Sequence, residues 1–536
     1  MVASLQSAGF TLLAFALVIS VVVFFHELGH LLVGKWVGVK ALKFSIGFGP
    51  KLVGFTLGET EYRLSALPLG GYVKFAGDNP YEEIAPEDRG RGFLEAPPWK
   101  RGVIAFAGPA ANFVLAFALA IFLGMAPRED LAAHIGAVAV ESPAARAGLL
   151  AGDRVVAIDG EPIESWTEMQ ERIRAHVGQP LDLDLDRKGQ RVQIRVTPAI
   201  RSEQNPIETV KYGRLGIQPY PRKAEIALKA PDDSGLRTFD TITSVNGARV
   251  GTYEELIEKL QQGPAQVQAL RRIAVDAPGG TLWRDEVVNG TLSGPQNLEF
   301  TDLSLFAVQP GSAAAEAGLQ RGDRVLALDG KRVLNWQDDV LEPLRELKDA
   351  PVAFTVRRDG HELQLTVRQH LKQGRDDTGA RAAIPELGAA PSIALSDAPR
   401  IHVGWNFGGA RRGVQMAQLN IRMQVMGIAR IASGHISSEV IGGPLMIADV
   451  ARQAVEAGWF VLLTTIMMIS IALGVMNLLP VPVLDGFHVL SALIEGVRRR
   501  PLSLRFREVA NLVGIALLLC LMLFAFRNDA MRKWFQ

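Results

Sequence analysis

The sequence predicts a polytopic α-helical membrane protein with about four transmembrane helices and a sizeable α+β region outside the membrane. Three observations predict it. Four stretches, about Phe10 to Val33, Gly102 to Met125, Trp459 to Leu479 and Val509 to Phe526, are each apolar over close to the roughly 20 residues needed to cross a bilayer. Residues of about 130 to 370 instead alternate short strand and helix patterns with polar turns. The average over all 536 residues, 48% hydrophobic with a mean hydropathy of +0.15, is high for a soluble protein and low for a fully embedded one. A net charge of +1 and the lack of a basic, aromatic-rich tract argue against a nucleic-acid partner. The single Cys520 rules out an intramolecular disulfide and a cysteine zinc cage.

The first span carries the chemistry. Phe10 to Phe25 holds no charge, and then His26, Glu27 and His30 appear within five residues. On a helix His26 and His30 lie one turn apart on one face, so their ring nitrogens can converge on one Zn²⁺. Glu27 sits beside that face, where it can take a proton from a polarised water. Ionisable groups are costly in hydrocarbon and mark function there. The segment lacks a basic start and a small-residue cleavage site before His26, so a retained span is expected rather than a signal peptide.

Lysine and arginine set the orientation. Lys35, Lys40, Lys43, Lys51, Arg63, Lys74, Arg89, Arg91, Lys100 and Arg101 separate spans one and two, and Arg498, Arg499, Arg500, Arg505 and Arg507 separate spans three and four. Both loops belong in the cytoplasm by the positive-inside tendency, which sends the termini and the long central region to the other side. Arg527, Arg532 and Lys533 argue mildly the opposite way.

The central region repeats itself. Ser142 to Leu149 recurs as Ser312 to Leu319 after a shift of 170 positions, and Gly152-Asp153-Arg154-Val155, Asp159-Gly160 and Trp166 recur as Gly322-Asp323-Arg324-Val325, Asp329-Gly330 and Trp336. This is a short helix ended by Gly, a Gly-Asp turn, a strand and an Asp-Gly turn. The pattern resembles the PDZ domain of bacterial membrane and periplasmic proteases. A shift of 87 uncovers a weaker middle copy in Gly235-Leu236, Asp240, Asn246-Gly247 and Tyr253, with Phe239 in place of the turn Gly; it reads equally as a degenerate third unit or an elaborated linker. PDZ domains bind extended chain ends by strand addition; a spacer without ligand is the alternative.

Residues of about 371 to 400, rich in Ala, Pro, Asp and Gly, suggest a linker. From Val414 to Ile431 the pattern is imperfectly amphipathic, which fits a helix on the bilayer surface or an ordinary packed one. Two His leave a catalytic zinc one protein ligand short, and the candidate is Asp485, in the run Asn477 to Gly486 at the end of the third span. Pro480 and Pro482 interrupt the helix there.

Together these motifs resemble the site-2 protease family of intramembrane zinc metalloproteases, and within it the RseP-type branch. The resemblance rests on His26 to His30, Gly47-Phe48-Gly49-Pro50, Pro68 to Val73, Phe106 to Asn112, the paired PDZ signatures, Gly442-Gly443-Pro444 and Asn477 to Gly486, in the family's order. It implies His26, His30 and Asp485 as Zn²⁺ ligands and Glu27 as general base. It also implies substrate contacts at Asn477, Pro480, Pro482 and Asn112, the last equally readable as a span-to-span hydrogen bond. The stretch from about Leu42 to Phe75, with Gly70 and Gly71, resembles a membrane-dipping β-hairpin whose edge could pair with an unwound substrate. Phe487 stands where the family usually has a second Gly, and the neighbouring His488 reads as structural rather than as a fourth ligand.

The implied organisation is residues 1–129 with spans one and two and the hairpin, 130–200 and 301–370 as PDZ domains, 201–300 as a degenerate unit or insertion, 371–455 as linker and amphipathic region, and 456–536 with spans three and four. The implied activity is intramembrane proteolysis of single-pass membrane proteins in a bacterial inner membrane, after an earlier cut. The partners are the substrate's transmembrane helix, lipid and peptide ends at the PDZ units. An inactive PDZ scaffold or a zinc-dependent membrane chaperone is the rival, and an intact Glu27 with a full ligand set weighs against it.

Overall fold

The computed structural model describes residues 2–79, 81–204, 209–277, 280–375 and 381–534. Residues 205–208 and 278–279 of the 201–300 stretch, and 376–380 of the 371–400 stretch, lie outside the described residues. The chain forms two compact units, one of residues 1–127 with 404–536 and one of residues 128–403.

Among the described residues of the first unit, the α-helices are α1 (Val2–Trp36), α2 (Pro98–Met125), α3 (Gly409–Ala432), α4 (Pro444–Glu456), α5 (Trp459–Asn477), α6 (Asp485–Arg498) and α7 (Leu504–Trp534). Four of them, α1, α2, α5 and α7, are long and apolar enough to cross a membrane. The buried face of α1 is a stripe spaced by four, Ala14, Val18, Val22, His26 and His30. Side chains four apart stack on one face of a helix, so the row that packs α1 into the bundle also delivers both imidazoles inward. Leu12, Leu13, Leu17 and Leu32 face outward.

The partner row on α2 is small, with Gly108, Asn112, Ala116 and Ala120 all buried. Small residues let helix backbones approach closely in an apolar medium. A Cβ at Gly29 of α1 would stand 2.3 Å from the Ala107 carbonyl oxygen, and one at Gly413 of α3 would stand 2.1 Å from that of Ala120. The amphipathic segment is therefore a packed helix, α3, pressed against α2. Helix α2 also packs on α5 and α6, which places it at the centre of the unit.

Strands β1 (Ala41–Leu57) and β2 (Thr60–Phe75) form a bent hairpin. Lys43 to Ile46 of β1 pair with Glu61 to Leu64 on one side and with Lys74 to Gly71 on the other, because β2 folds back along β1. The far part exposes Leu52, Val53, Phe55 and Leu57. Between α6 and its neighbours lies a buried ion cluster: Glu495, 1% exposed, accepts from Arg101 of α2 and Arg507 of α7, each at 2.5 Å, and from the backbone N–H of Leu502 at 2.9 Å.

Among its described residues the second unit holds three four-stranded antiparallel sheets of one topology. In spatial order they are Glu161–Pro162, Arg154–Ile158, Leu181–Arg187, Gln190–Val196; then Ala248–Arg249, Thr241–Val245, Ala265–Ala277, Gly280–Leu292; then Lys331–Arg332, Arg324–Leu328, Pro351–Arg358, His361–Arg368. Each has its own apolar core under a short helix, Trp166–Ala175, Tyr253–Leu260 and Glu342–Leu347. One polar device recurs in all three. Arg187 donates to Asp153 at 2.7 Å and to the Gly148 carbonyl at 2.8 Å; Arg271 does so to Asp240 and Gly235, both at 2.9 Å; Arg358 does so to Asp323 at 2.6 Å and Gly318 at 2.7 Å. The middle sheet is thus built on the same plan as the two flanking ones.

Phe239 holds the left-handed conformation (φ +77°) that Gly152 and Gly322 adopt in the flanking copies. A non-glycine residue there costs about 1 kcal/mol or more. The ring offsets this by packing edge-on against Phe306 at 5.2 Å and beneath the Arg321 guanidinium.

The stretch expected to be a linker differs from that expectation. It carries strands His370–Arg375, Arg381–Glu386, Ala389–Pro391 and Arg400–Val403. Short strands are held by backbone hydrogen bonds that need no apolar alternation, so composition hid them.

Candidate metal centre and active site

Three elements meet around His26. Nε2 of His26 lies 3.1 Å from Oδ2 of Asp485 and 3.3 Å from Nε2 of His30, and His30 Nε2 lies 3.5 Å from the same Asp485 oxygen. Among the described residues this is the group whose donor atoms could hold a metal ion. The rings stand nearly perpendicular, at 86°, so their lone pairs aim at one point instead of stacking.

The residues fit zinc. Four donors about 2.05 Å from a tetrahedral ion are about 3.3 Å from one another, which is the spacing of this triangle. The space beside it exists because residue 108 is glycine: a Cβ there would stand 2.2 Å from His30 Nε2 and 2.9 Å from His26 Cε1. Nδ1 of His30 lies 2.7 Å from the Ile104 carbonyl oxygen. That acceptor keeps the proton on Nδ1 and leaves Nε2 free as a ligand.

Asp485 arrives at the first turn of α6 after the chain leaves α5 at Asn477 and passes through Leu478 to Leu484. The turn is tight, since a Cβ on Gly486 would lie 2.4 Å from the carbonyl oxygens of Leu478 and Leu479. His488, one turn on, is outside the converging group, and burial pushes its imidazole down toward the neutral form.

Glu27 is half-buried beside the triangle and takes a backbone hydrogen bond from Val73 of β2. Asn477 brings Nδ2 to 3.3 Å from His26 Nε2, and the fully buried Asn112 brings Nδ2 to 3.2 Å from His26 Nδ1. Gly71 abuts Glu27, whereas at Gly70 (φ +145°) a Cβ would meet the Phe48 ring at 2.5 Å. Pro482 rests on α7, its carbonyl oxygen 2.4 Å from where a Cβ of Gly514 would be, and Pro480 is exposed. Sequence reasoning did not single out Gly108, Ile104 or Val73, because two act through backbone atoms and one through the absence of a side chain. Gly108 does lie inside the Phe106 to Asn112 motif, and Val73 closes the Pro68 to Val73 motif.

The model of peptidase family M50 matches residues 14–521 of the chain. A protein of Ralstonia nicotianae named as a zinc metalloprotease, RSc1411, is 30% identical, with 97% of this chain and 98% of that protein covered. One from Neisseria meningitidis serogroup A, NMA0084, named likewise, is 29% identical, with 97% and 99% covered. Among solved structures, a PDZ domain protein from Parabacteroides distasonis is similar at a TM-score of 0.13 and 8% identity over 50% of this chain and 99% of that one, too low a likeness to add to the fold. With two imidazoles, a carboxylate and a flanking glutamate on apolar helices, and with that match over nearly its whole length, the chain belongs to peptidase family M50, the site-2 protease family of zinc metalloproteases.

Proposed function

We propose that this protein hydrolyses a peptide bond within the transmembrane segment of single-pass membrane proteins, as the final cut of regulated intramembrane proteolysis. The observation that carries the reading is the convergence of His26, His30 and Asp485, with Glu27 alongside, on and next to helices apolar enough to cross a bilayer. These three side chains would hold Zn²⁺ and leave one position of a tetrahedral set open. When bound, the ion supplies Lewis acidity toward the scissile carbonyl and the attacking water. Glu27 accepts the proton of that water and delivers it to the leaving amine. Asn477 donates its amide N–H to a carbonyl of the unwound substrate strand. Pro480 and Pro482 keep the segment before Asp485 out of helix and themselves offer no N–H, so their carbonyl groups can accept from that strand. Gly70 and Gly71 bring the hairpin edge close to the same place.

The excess of Lys and Arg in the loops after α1 and after α6 argues that both face the cytoplasm of a bacterial inner membrane, with residues 128–403 on the other side. There the PDZ-like repeats act as a filter against large ectodomains, so that cleavage follows a first cut by another protease. Ile217–Gln218 and Ala389–Pro391 each lie in a two-stranded sheet, an arrangement that supports addition of an extended peptide end. Anti-sigma factors and signal-peptide remnants are the substrate types that the family resemblance implies.

The test uses purified protein in detergent and a set of single-pass substrates with and without their ectodomains, with products mapped by mass spectrometry. A cut inside the apolar segment, faster after the ectodomain is removed, supports the proposal. Cuts confined to soluble segments, or intact truncated substrates, contradict it.

A further inference from the structure

Asn112 is 0% exposed on α2, four residues beyond Gly108 on the face that meets the imidazoles. Its Nδ2 is placed 3.2 Å from Nδ1 of His26, while its Oδ1 is buried without a partner. That arrangement conflicts with the chemistry of the ring. His26 points Nε2 at Asp485 and at Nε2 of His30, so Nε2 is its ligand atom. An imidazole that offers the Nε2 lone pair to a metal carries its proton on Nδ1 and needs an acceptor there. His30 has one in the Ile104 carbonyl; His26 has the Asn112 amide. The nitrogen and oxygen of an amide have nearly the same shape, and the hydrogen-bond network decides between them. Turning the amide over moves the orphaned oxygen onto His26 Nδ1.

We infer that Asn112 accepts the Nδ1–H of His26 through Oδ1 and fixes the tautomer that presents Nε2 to zinc. It is a positioning residue for the metal ligand, where the family resemblance suggested a substrate contact. Helix α2 then supplies no ligand but sets both rings, His30 through the Ile104 carbonyl and His26 through Asn112. The inference rests on the reading of His26 as a ligand.

The experiment loads the purified full chain with zinc and follows its release to a chromophoric chelator, without any substrate. Asn112→Leu, of similar size and without an acceptor, is expected to speed release by about 10- to 100-fold. Asn112→Asp keeps an oxygen acceptor and is expected to release zinc no faster than the parent. Release from Asn112→Leu at the parental rate overturns the inference, as does a tenfold acceleration in Asn112→Asp; the Asp variant decides alone if the Leu variant does not fold. His26→Ala in the same assay separates the two levels: undiminished zinc there removes the metal reading itself, whereas zinc loss there with no change in Asn112→Leu removes only this one.

Discussion

A Cβ added to Gly71 of the hairpin would stand 3.0 Å from Cγ of Glu27 and 2.8 Å from the Ser45 carbonyl oxygen. The proposed general base is therefore wedged between its own helix and a strand whose glycine leaves it room. Gly71→Ala is expected to displace the Glu27 carboxylate and lower kcat by 10-fold or more, since misplacement of about 1 Å at a reacting group can cost 10²-fold. Zinc content should not change. Gly58→Ala at the hairpin turn, where an added Cβ meets nothing but the left-handed φ of +63° costs about 1 kcal/mol, is the control for backbone strain in the hairpin and should keep its kcat. Equal losses in the two variants would point to general damage to the hairpin.

Asp485 gives the metal site its only negative charge among the three proposed ligands. Asp485→Asn removes that charge at nearly constant size, so zinc measured by atomic absorption after dialysis against chelator should fall well below the parental content. Parental zinc content in this variant would take Asp485 out of the ligand set.

The Arg101–Glu495–Arg507 cluster ties α6 to α2 and α7, and α6 begins with Asp485. Glu495→Gln leaves two guanidinium groups short of their buried carboxylate and should cost about 3 kcal/mol, read as a lower thermal midpoint. Burial acts to raise the Glu495 pKa, but the Leu502 N–H and the Arg507 and Arg101 guanidinium groups outweigh it, so the folded value lies below the ordinary one. A depressed folded pKa contributes stability above the unfolded pKa and loses it as pH falls through the folded value. Acidification below the usual carboxylate range should therefore destabilise the parent more than Glu495→Gln, which has no charge there to lose.

In the middle repeat, Asp240 is 1% exposed and depends on Arg271 for charge compensation. Arg271→Met should destabilise that repeat by about 3 kcal/mol, because a buried carboxylate loses its partner. Limited proteolysis should then open sites between residues 224 and 300 first. Resistance equal to that of the parent would mean that the pair adds little to this repeat.

How much of this was legible in the sequence depended on the range of each interaction. The spacing of His26 and His30 specifies a shared helical face, because helical periodicity is local. The triple Asp–Arg device could be glimpsed through Asp153, Asp240 and Asp323, which follow a Gly-containing or Gly-replacing turn, but the arginines lie more than 30 residues further on at spacings that vary between copies. The position of Asp485 beside the histidines is a long-range fact that periodicity does not carry; it was approached through the missing third ligand and the end of the third span, and through motif resemblance. The strands at residues 370–403 were hidden by their Ala, Pro and Gly content. The relation of Asn112 to His26 needed the third dimension altogether, since a buried oxygen without a partner leaves no mark on residue order.

The central claim is tested most directly by measuring zinc and turnover together on purified Glu27→Gln. The account predicts that this variant keeps about one zinc per chain, because the change spares all three ligands, and that it no longer cleaves a truncated single-pass substrate. Parental turnover with full zinc would contradict the role given to Glu27 and the hydrolytic mechanism built on it.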